Sequence, residues 1–172
     1  MPSTKKRGAT RKPRARLSHV DDQGGVRMVD VGRKATTRRE AVARGLIAIA
    51  PDALELIRTR KIAKGDPLQA ARLAGIMAAK RTADLIPLCH PLPLSSVDVE
   101  LRPRRDGYEI EATARTTAQT GVEMEALTAV AAAGLTIYDM VKAVDKTMVI
   151  GDIRLIRKTG GRSGTYRRRE RS

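Results

Sequence analysis

Two runs of alternating apolar and polar residues, separated by a turn signal, constrain the fold of this chain most strongly. In the first run Val97, Val99 and Leu101 alternate with polar side chains, and in the second run Tyr108, Ile110, Ala112 and Ala114 do so. Strict alternation predicts strands with one buried face. The linking Arg105-Asp106-Gly107 is typical of a tight turn, so the two runs predict a β-hairpin.

A helix is predicted before this hairpin. Asp66 is a good N-cap and Pro67 a good first helical residue. The helix should run to about Leu85 and end before Pro87. Its predicted apolar stripe consists of Ala70, Leu73, Ala74 and Met77.

A second long helix is predicted after the hairpin, from near Thr120 to near Val144. Thr120 and Glu123 match the Thr-x-x-Glu capping box. Its apolar face is predicted to consist of Leu127, Val130, Gly134, Ile137 and Val141.

The remaining elements are shorter or less clear. Residues 38–49 fit either a helix face or a strand face, and pattern alone does not decide, although Gly45 and the break at Pro51 favour a strand. A short helix is predicted over Pro51–Arg60 and a last strand over Met148–Ile156.

The predicted element order is β-α-β-β-α-β, which indicates an α+β fold of the ferredoxin-like type with an antiparallel sheet. Both long helices should lie on one face of that sheet. An exposed apolar sheet face is a liability, so we expect an oligomer that covers the other face. The chain has three Tyr and no Phe or Trp, which leaves Leu, Ile, Val, Met and Ala to build the core.

The net charge of +15 is concentrated at the two termini. Residues 1–16 carry seven Lys and Arg and no acid, and residues 165–172 carry a net charge of three. Such segments have little to bury. We therefore expect a disordered basic tail over residues 1–26, one catalytic domain over residues 27–164 and a basic C-terminal tail over residues 165–172.

Several classes of protein are disfavoured. The single cysteine, Cys89, precludes an intrachain disulfide, and the spacing typical of structural zinc sites is absent. No apolar run reaches the ~18 residues of a membrane span, and no apolar stretch follows the basic N-terminus as in a secretory signal. The expected location is the cytoplasm.

Lys64 and His90 are candidates for a site that binds an anion and moves protons. Lys64 precedes a predicted helix N-terminus, where a cation and backbone N–H groups point the same way; a solvated loop lysine is the alternative. His90 lies between two prolines and could donate to a phosphate or move a proton near neutral pH; a packed loop histidine is the alternative. Cys89 is interpreted as a packing residue or a backbone contact.

Acidic and basic residues on the last helix, and the loop near the C-terminus, add further candidates. Asp139 and Lys142 are three residues apart on one helical face. They could be a pair that tune one another's pKa for proton transfer, or a surface ion pair. Glu123 has a predicted capping role, whereas Glu125 has none. The loop Gly160–Gly164, with Lys158 and Arg162 beside it, is typical of a phosphate-binding loop.

Several long motifs, in order, resemble the cyclic pyranopterin monophosphate synthase family, also called molybdenum-cofactor biosynthesis protein C. The resemblance covers about Met28 to Gly164 and omits both basic tails. The motifs are Met28-Val29-Asp30-Val31, Lys64-Gly65-Asp66, Ala78-Ala79-Lys80-Arg81-Thr82-Ala83-Asp84-Leu85-Ile86-Pro87-Leu88-Cys89-His90-Pro91-Leu92, Thr120-Gly121-Val122-Glu123-Met124-Glu125-Ala126-Leu127-Thr128-Ala129, Leu135-Thr136-Ile137-Tyr138-Asp139-Met140 and Lys158-Thr159-Gly160-Gly161-Arg162-Ser163-Gly164.

The resemblance implies a lyase that converts 3′,8-cyclo-7,8-dihydro-GTP to cyclic pyranopterin monophosphate and diphosphate. It implies that Asp139 is the catalytic acid–base residue, with Lys64 and Lys142 as its active partners. The substrate would be bound by Leu88, Cys89, His90, Glu123, Met124, Glu125, Lys158 and Arg162. Arg162 stands where many relatives have lysine, and the positive charge is kept.

The resemblance also implies a hexamer, built as a trimer of dimers with the site at the dimer interface. The reaction involves no redox change, so no cofactor is required by the sequence, although a Mg²⁺ could enter with the triphosphate.

Two rival hypotheses about the function remain open from the sequence. A nucleic-acid-binding module would explain the basic pI, but the segment between the tails carries a net charge of only five and its tyrosines are scattered. A catalytically silent assembly protein would not need Asp139, Lys64 and Lys142 together.

Overall fold

The described part of this chain folds into five strands and four helices. A computed structural model describes residues 23–169. Its elements are β1 (Thr37–Ala48), α1 (Pro51–Arg58), α2 (Pro67–Lys80), α3 (Thr82–Leu85), β2 (Leu94–Arg104), β3 (Gly107–Ala118), α4 (Glu123–Val141), β4 (Val149–Thr159) and β5 (Tyr166–Arg167). The predicted α+β class is confirmed.

All neighbouring strands of the five-stranded sheet are antiparallel, in the order β2-β3-β1-β4-β5. The segment that was ambiguous in the sequence, residues 38–49, is the central strand β1. The predicted hairpin is formed by β2 and β3, which join through the turn at Arg105 and Asp106. The strand predicted over Met148–Ile156 is β4, which extends three residues further than predicted, to Thr159, and a short unpredicted strand, β5, follows it.

The core lies between one face of the sheet and the two long helices, α2 and α4. On β1, Ala41, Ala43 and Ile47 face this core, and β3 contributes its predicted alternating residues, all of them buried. Side chains this small allow close approach. A Cβ at Gly75 of α2 would lie 2.9 Å from the backbone oxygen of Ala129 on α4, so a larger residue there would push the helices apart.

The prediction for α2 is wrong in its buried face and in its length. Leu73 and Met77 are 59% and 48% exposed, whereas the buried face carries Pro67, Ala71, Gly75 and Ala79. The helix packs through its smallest residues because these permit the short distance to α4. It also ends at Lys80 instead of Leu85: the Thr82 hydroxyl donates to the carbonyl of Ala79 at 3.0 Å, and a separate short turn, α3, follows.

The second face of the sheet is charged, so the prediction of an apolar face that needs covering is wrong. Glu40 on β1 accepts hydrogen bonds from Arg115 and Arg157 at 2.6 Å each. Arg102 on β2 pairs with Glu111 on β3 at 3.0 Å, and Glu111 also pairs with Arg44. Cross-strand pairs of opposite charge stabilise a solvated sheet face without a partner.

Two further features bear on the expected organisation of the chain. Part of the segment expected to be a C-terminal tail forms β5, where Tyr166 and Arg167 pair with β4. The expected N-terminal tail lies mostly outside the described residues, as do residues 170–172. By length and composition α4 alone among the described helices could cross a membrane, but it is the central helix of the core.

Candidate active site

The predicted site residues collect at the two ends of helix α4. At its N-terminal end lies a cavity of about 520 Å³. Its lining residues are Val29, Val31, Lys34, Arg39, Glu40, Leu88, Cys89, His90, Leu92, Thr120, Gly121, Val122, Glu123, Met124, Glu125, Lys158, Thr159, Gly160 and Ser163. Seven of the eight predicted substrate-binding residues are among them; the exception is Arg162, which is exposed in the adjoining turn.

Glu125 is the most deeply placed charged group of the cavity. Its side chain belongs to the first turn of α4, and the residue is only 4% exposed. Burial raises the pKa of this carboxyl above its ordinary range, because the charged form loses its hydration. Burial therefore favours the protonated form of Glu125 more than it is favoured in an exposed glutamate.

Cys89 lies close enough to Glu125 to feel its charge. Burial raises the pKa of the Cys89 thiol, and the Glu125 carboxylate raises it further. Both effects oppose the thiolate, which is the nucleophilic form of cysteine. A raised pKa of the thiol accords with the interpretation of Cys89 as a packing residue or a backbone contact.

His90 is held by one hydrogen bond to the segment that precedes β1. Its Nε2 lies 2.8 Å from the carbonyl oxygen of Val29. A carbonyl oxygen only accepts, so Nε2 must carry the hydrogen. In the neutral ring Nδ1 is then the unprotonated nitrogen, and it remains available to accept a hydrogen bond or a proton.

Lys158 joins the glycine-rich loop to the start of α4. Its ammonium group lies 2.8 Å from a carboxylate oxygen of Glu123 and 3.1 Å from the hydroxyl of Ser163. The predicted capping box is wrong: α4 begins after Val122, which makes no side-chain cap, and Glu123 pairs with Lys158 instead of reaching back to Thr120. A cation that the tertiary structure brings alongside competes successfully for a partly exposed carboxylate.

Arg39 is a cavity residue that sequence reasoning missed. Its guanidinium donates to the backbone oxygens of Ala118 at 2.9 Å and Gln119 at 3.0 Å. The same group fills the space beside the glycine-rich loop, where a Cβ at Gly161 would lie 2.2 Å from Arg39 Nη1. Arg39 therefore holds the entry to α4 and the loop against one another. Two adjacent arginines at the start of a strand of small residues were the available signal.

A second cluster lies at the C-terminal end of α4, where the predicted catalytic residues meet. The carboxylate of Asp139 is 2.8 Å from Lys142 Nζ and 3.4 Å from Lys64 Nζ. Lys64 also donates to the backbone oxygen of Asp139 at 3.1 Å. Lys142 and then Lys64 lower the pKa of Asp139, and Asp139 raises the pKa of Lys142. All three side chains are about half exposed or more.

A buried carboxylate keeps the backbone segments of this cluster together. Asp145, just beyond α4, accepts hydrogen bonds from the Ala50 N–H at 2.8 Å and from the Thr147 N–H and hydroxyl at 2.7 Å each. Ala50 precedes α1, which leads to the loop that carries Lys64. These bonds lower the pKa of Asp145 below its ordinary value, so it remains an acceptor at neutral pH.

Within one chain the cluster and the cavity are far apart. Glu125 and Asp139 are fourteen residues apart on one helix, which corresponds to ~21 Å along the axis. None of Lys64, Asp139 and Lys142 lines the cavity. Among residues 23–169, no group of three or more His, Cys, Asp or Glu is arranged to hold a metal ion.

The motifs that converge on the cavity match a known family. The model of the MoaC family matches residues 28–161. The chain belongs to the MoaC family. The match begins at the segment that contributes Val29 and Val31 to the cavity and ends in the glycine-rich loop, so it contains the cavity lining apart from Ser163.

Proteins with similar sequences carry one name. The cyclic pyranopterin monophosphate synthase of Thermomicrobium roseum is 59% identical over 158 residues, which is 91% of this chain and 95% of that protein. The protein of the same name from Chloroflexus aggregans is 63% identical, over 90% of this chain and 94% of its own. The protein of the same name from Streptomyces griseus is 58% identical, over 89% of this chain and 86% of its own length.

One motif of the MoaC family had no role assigned from the sequence, and the structure places it at the cavity. The segment Met28-Val29-Asp30-Val31 contributes two residues to the cavity wall and supplies the carbonyl that fixes His90. Lys34, close behind it, adds a cation. The motif itself was visible in the sequence, but its position over the cavity was not, because it lies in no helix or strand.

Proposed function

We propose that this chain is a cyclic pyranopterin monophosphate synthase, which converts 3′,8-cyclo-7,8-dihydro-GTP to cyclic pyranopterin monophosphate and diphosphate in molybdenum cofactor biosynthesis. The observation that carries the proposal is the cavity at the start of α4, which combines cations with a buried carboxyl group and is lined by the motifs of the MoaC family. The names of the relatives support the same reaction.

The side chains suit a phosphate-bearing substrate that is rearranged by proton transfer. The five-membered ring of the purine must open and a pyrazine ring must close, and each step moves protons. Glu125 would supply a proton because its pKa is raised, and His90 Nδ1 would accept one. A hydroxyl group of the substrate gives up its proton and attacks the α-phosphorus. The new P–O bond closes the cyclic phosphate while the bond to diphosphate breaks, and nearby cations stabilise the charge that develops on the departing diphosphate. Lys34, Arg39 and Lys158 line the cavity, and Arg162 lies in the adjoining turn.

The exposed cluster completes the proposed site. Asp139 would be the acid–base residue, and its two lysines would keep it ionised and stabilise negative charge on the substrate. Any Mg²⁺ would arrive with the triphosphate, and no step of the proposal depends on it.

The proposed site is shared between two subunits. Glu125 and Asp139 differ by only about 40° around the axis of α4, so they face the same way but lie ~21 Å apart. A ligand of the size of GTP would have to be fully extended to reach both within one chain. A two-fold interface that brings the cavity of one chain to the cluster of another creates two identical complete sites. This is our reason for proposing a dimer, assembled three times in a hexamer.

Strand order supports the ferredoxin-like assignment, which we include in the proposal. β3 lies between β1 and β2, as in a split β-α-β unit, and β4 lies on the other side of β1. β5 would be an addition at the edge. The proposed location is the cytoplasm.

Direct assay tests the proposed function. The purified full-length protein is incubated with enzymatically prepared 3′,8-cyclo-7,8-dihydro-GTP, and diphosphate and the pterin product are measured together. Stoichiometric appearance of both is expected. Recovery of unchanged substrate, under conditions where a relative such as the Chloroflexus aggregans enzyme turns over, would overturn the proposal. Removal of residues 1–16 separates it from nucleic-acid binding, because an enzyme of this kind should retain turnover.

A further inference from the structure

Residues 28–34 cross the cavity as an irregular segment, here called the strap. Val29, Val31 and Lys34 contribute to the cavity lining. The alternate residues Met28, Asp30 and Gly32 are exposed to solvent. The strap thus forms part of the cavity wall without belonging to any helix or strand of the described chain.

Within residues 23–169, two hydrogen bonds tie the strap to the rest of the chain. His90 Nε2 donates to the Val29 oxygen at 2.8 Å, and the side-chain amide of Gln119 donates to the Gly32 oxygen at 3.2 Å. The other hydrogen bonds are internal: Asp30 accepts from the Gly32 N–H at 2.8 Å, and the Lys34 N–H donates to Val31 at 2.9 Å. The internal bonds keep the shape of the turn but do not tie it to the cavity.

The strap contrasts with β1, which begins only three residues later. From Thr37 onward the backbone pairs with β3, and from Glu40 it pairs with β4 as well. Segments with few buried contacts and few backbone bonds open locally at much lower free energy than a central strand. Opening is therefore expected to stop at the start of β1 and to leave the sheet intact.

Gln119 is the fixed side of the contact. Its own backbone oxygen accepts a hydrogen bond from Arg39 Nη2 at 3.0 Å, and the preceding Ala118 accepts from Arg39 Nε at 2.9 Å. Ala118 is also paired with Thr37 at the end of β3. The amide group is therefore presented to the strap from a rigid position.

We propose that the strap is a gate over the cavity and that Gln119 is the positioning residue that latches it closed. The inference rests on the proposed function for the identity of the ligand. In the closed form Lys34 lines the cavity, where a polyanionic ligand would attract its ammonium group. A ligand that interacts better with the closed form shifts the strap toward closure. The gate thus admits the substrate when open and retains it when closed.

Limited proteolysis tests the latch, because the strap carries two trypsin sites, Arg33 and Lys34. Cleavage of a locally opened segment follows the population of the open form. Gln119→Met keeps the length of the side chain but removes the donor, and Gln119→Glu replaces the donor by an acceptor. Loss of one hydrogen bond predicts cleavage in the strap about five-fold faster than in the wild type. Cleavage after Arg44, in the central strand β1, is the internal reference for global unfolding, because that bond becomes accessible only when the sheet opens.

Gln69→Met is the matched control. Gln69 is an exposed glutamine on α2 that accepts from Arg72 at 2.7 Å, so the same substitution leaves the strap untouched. Wild-type rates of strap cleavage are expected for this variant. Equal cleavage rates in Gln119→Met and Gln69→Met would overturn the latch.

Substrate provides a second readout that a merely structural role would not change. Adding 3′,8-cyclo-7,8-dihydro-GTP should slow strap cleavage in the wild type. The Gln119 variants should show a KM about five-fold higher, with kcat within about two-fold of the wild type. A fall in kcat at unchanged KM, or no protection by substrate in an active enzyme, would contradict the gate. Absence of turnover in the wild type would instead refute the proposed function, and the substrate-free cleavage rates would still decide the latch.

Discussion

The two ends of helix α4 carry carboxylates in opposite environments. Glu125, in the first turn, is buried in the cavity wall and its pKa is raised. Asp139, near the last turn, has a side chain that is 60% exposed, and two lysines lower its pKa. The two ends of the helix therefore favour different forms of a carboxyl group, the protonated form for Glu125 and the ionised form for Asp139.

This difference between the two carboxyl groups would suit different roles in proton transfer. Two titratable groups whose surroundings push their pKa values apart are suited to act as acid and base in one reaction. Desolvation acts on Glu125 and ion pairing acts on Asp139, so the two effects can be changed separately by mutation. The predictions below are ordered by their expected effect, and each single substitution alters one end of the helix and leaves the other unchanged.

Removal of the lysines should have the largest effect on turnover. Lys64→Ala and Lys142→Ala each delete a cation that touches Asp139, and loss of charge stabilisation in the transition state should cost at least ~100-fold in kcat. Circular dichroism and the elution volume should stay unchanged, because both side chains are exposed. Lys61→Ala, in the same loop as Lys64, is the control. Near-normal product formation by both variants would exclude the cluster from catalysis.

Asp139→Asn should reduce turnover at least about ten-fold, because an amide keeps the size of the side chain but cannot exchange a proton. Asp152→Asn is the control, since Asp152 also pairs with a cation, Arg154, on β4. Diphosphate release measured against pH checks the result. Retention of more than a tenth of the normal rate would refute acid–base catalysis by Asp139.

Mixing two inactive proteins tests whether the two ends belong to one site. After subunit exchange between Glu125→Ala and Asp139→Asn proteins, a shared site predicts activity from about a quarter of the sites, because each mixed dimer regains one complete site. Exchange must be demonstrated with differently tagged chains. No recovery after proven exchange would place the whole site within one chain.

Glu125→Gln should raise the Tm at neutral pH. The pKa of Glu125 is higher in the folded than in the unfolded chain, so its contribution to stability is complete below the unfolded pKa and is lost as the pH rises through the folded pKa. Glutamine does not ionise and escapes this loss. The difference in Tm should therefore close below about pH 4.

For Asp139→Asn the expected dependence of stability on pH is opposite to that for Glu125→Gln. The folded pKa of Asp139 is lowered, so its contribution is present above the unfolded pKa and is lost as the pH falls through the folded value. This variant should not gain stability at neutral pH. A higher Tm for both variants would mean that the two carboxylates do not differ in the way described.

The smallest effect is expected from trimming the chain to residues 27–164. The removed residues include β5, which pairs only with Arg157 and Lys158 at the edge of the sheet. Turnover should stay within about two-fold of the full chain, as for most surface changes. A shortened protein that assembles normally but loses activity would show that a terminal segment reaches the site.

Much of the fold could be predicted from local patterns. The β2–β3 hairpin and the start of α2 at Asp66 follow from residues that are close in sequence, and Asp66 does cap the helix through Leu68 N–H at 2.9 Å. The wrong predictions concern features that are determined by residues distant in sequence. The buried stripe of α2 was assigned to its largest apolar residues, yet close packing on α4 selected Ala71 and Gly75.

In the candidate site, too, some features could be predicted from the sequence and others could not. Lys64, Asp139 and Lys142 meet as expected, although only the last two are near in sequence. Seven predicted substrate-binding residues line the cavity. Arg39 was missed because it acts through backbone oxygens 79 and 80 residues away. The motif of the strap was visible in the sequence, but its position over the cavity depends on the tertiary structure.

The sequence by itself determined the class of elements, the hairpin, the family and most of the residues that the structure brings together at the cavity and the exposed cluster. These depend on side-chain periodicity, turn chemistry and motifs, all of which are properties of short segments. Only the tertiary structure decided which face of α2 is buried, that Glu123 pairs with Lys158 and that the open sheet face is charged. It also decided that Glu125 is desolvated while Asp139 is not, because the dielectric surroundings of a carboxylate are set by what packs around it from elsewhere in the chain.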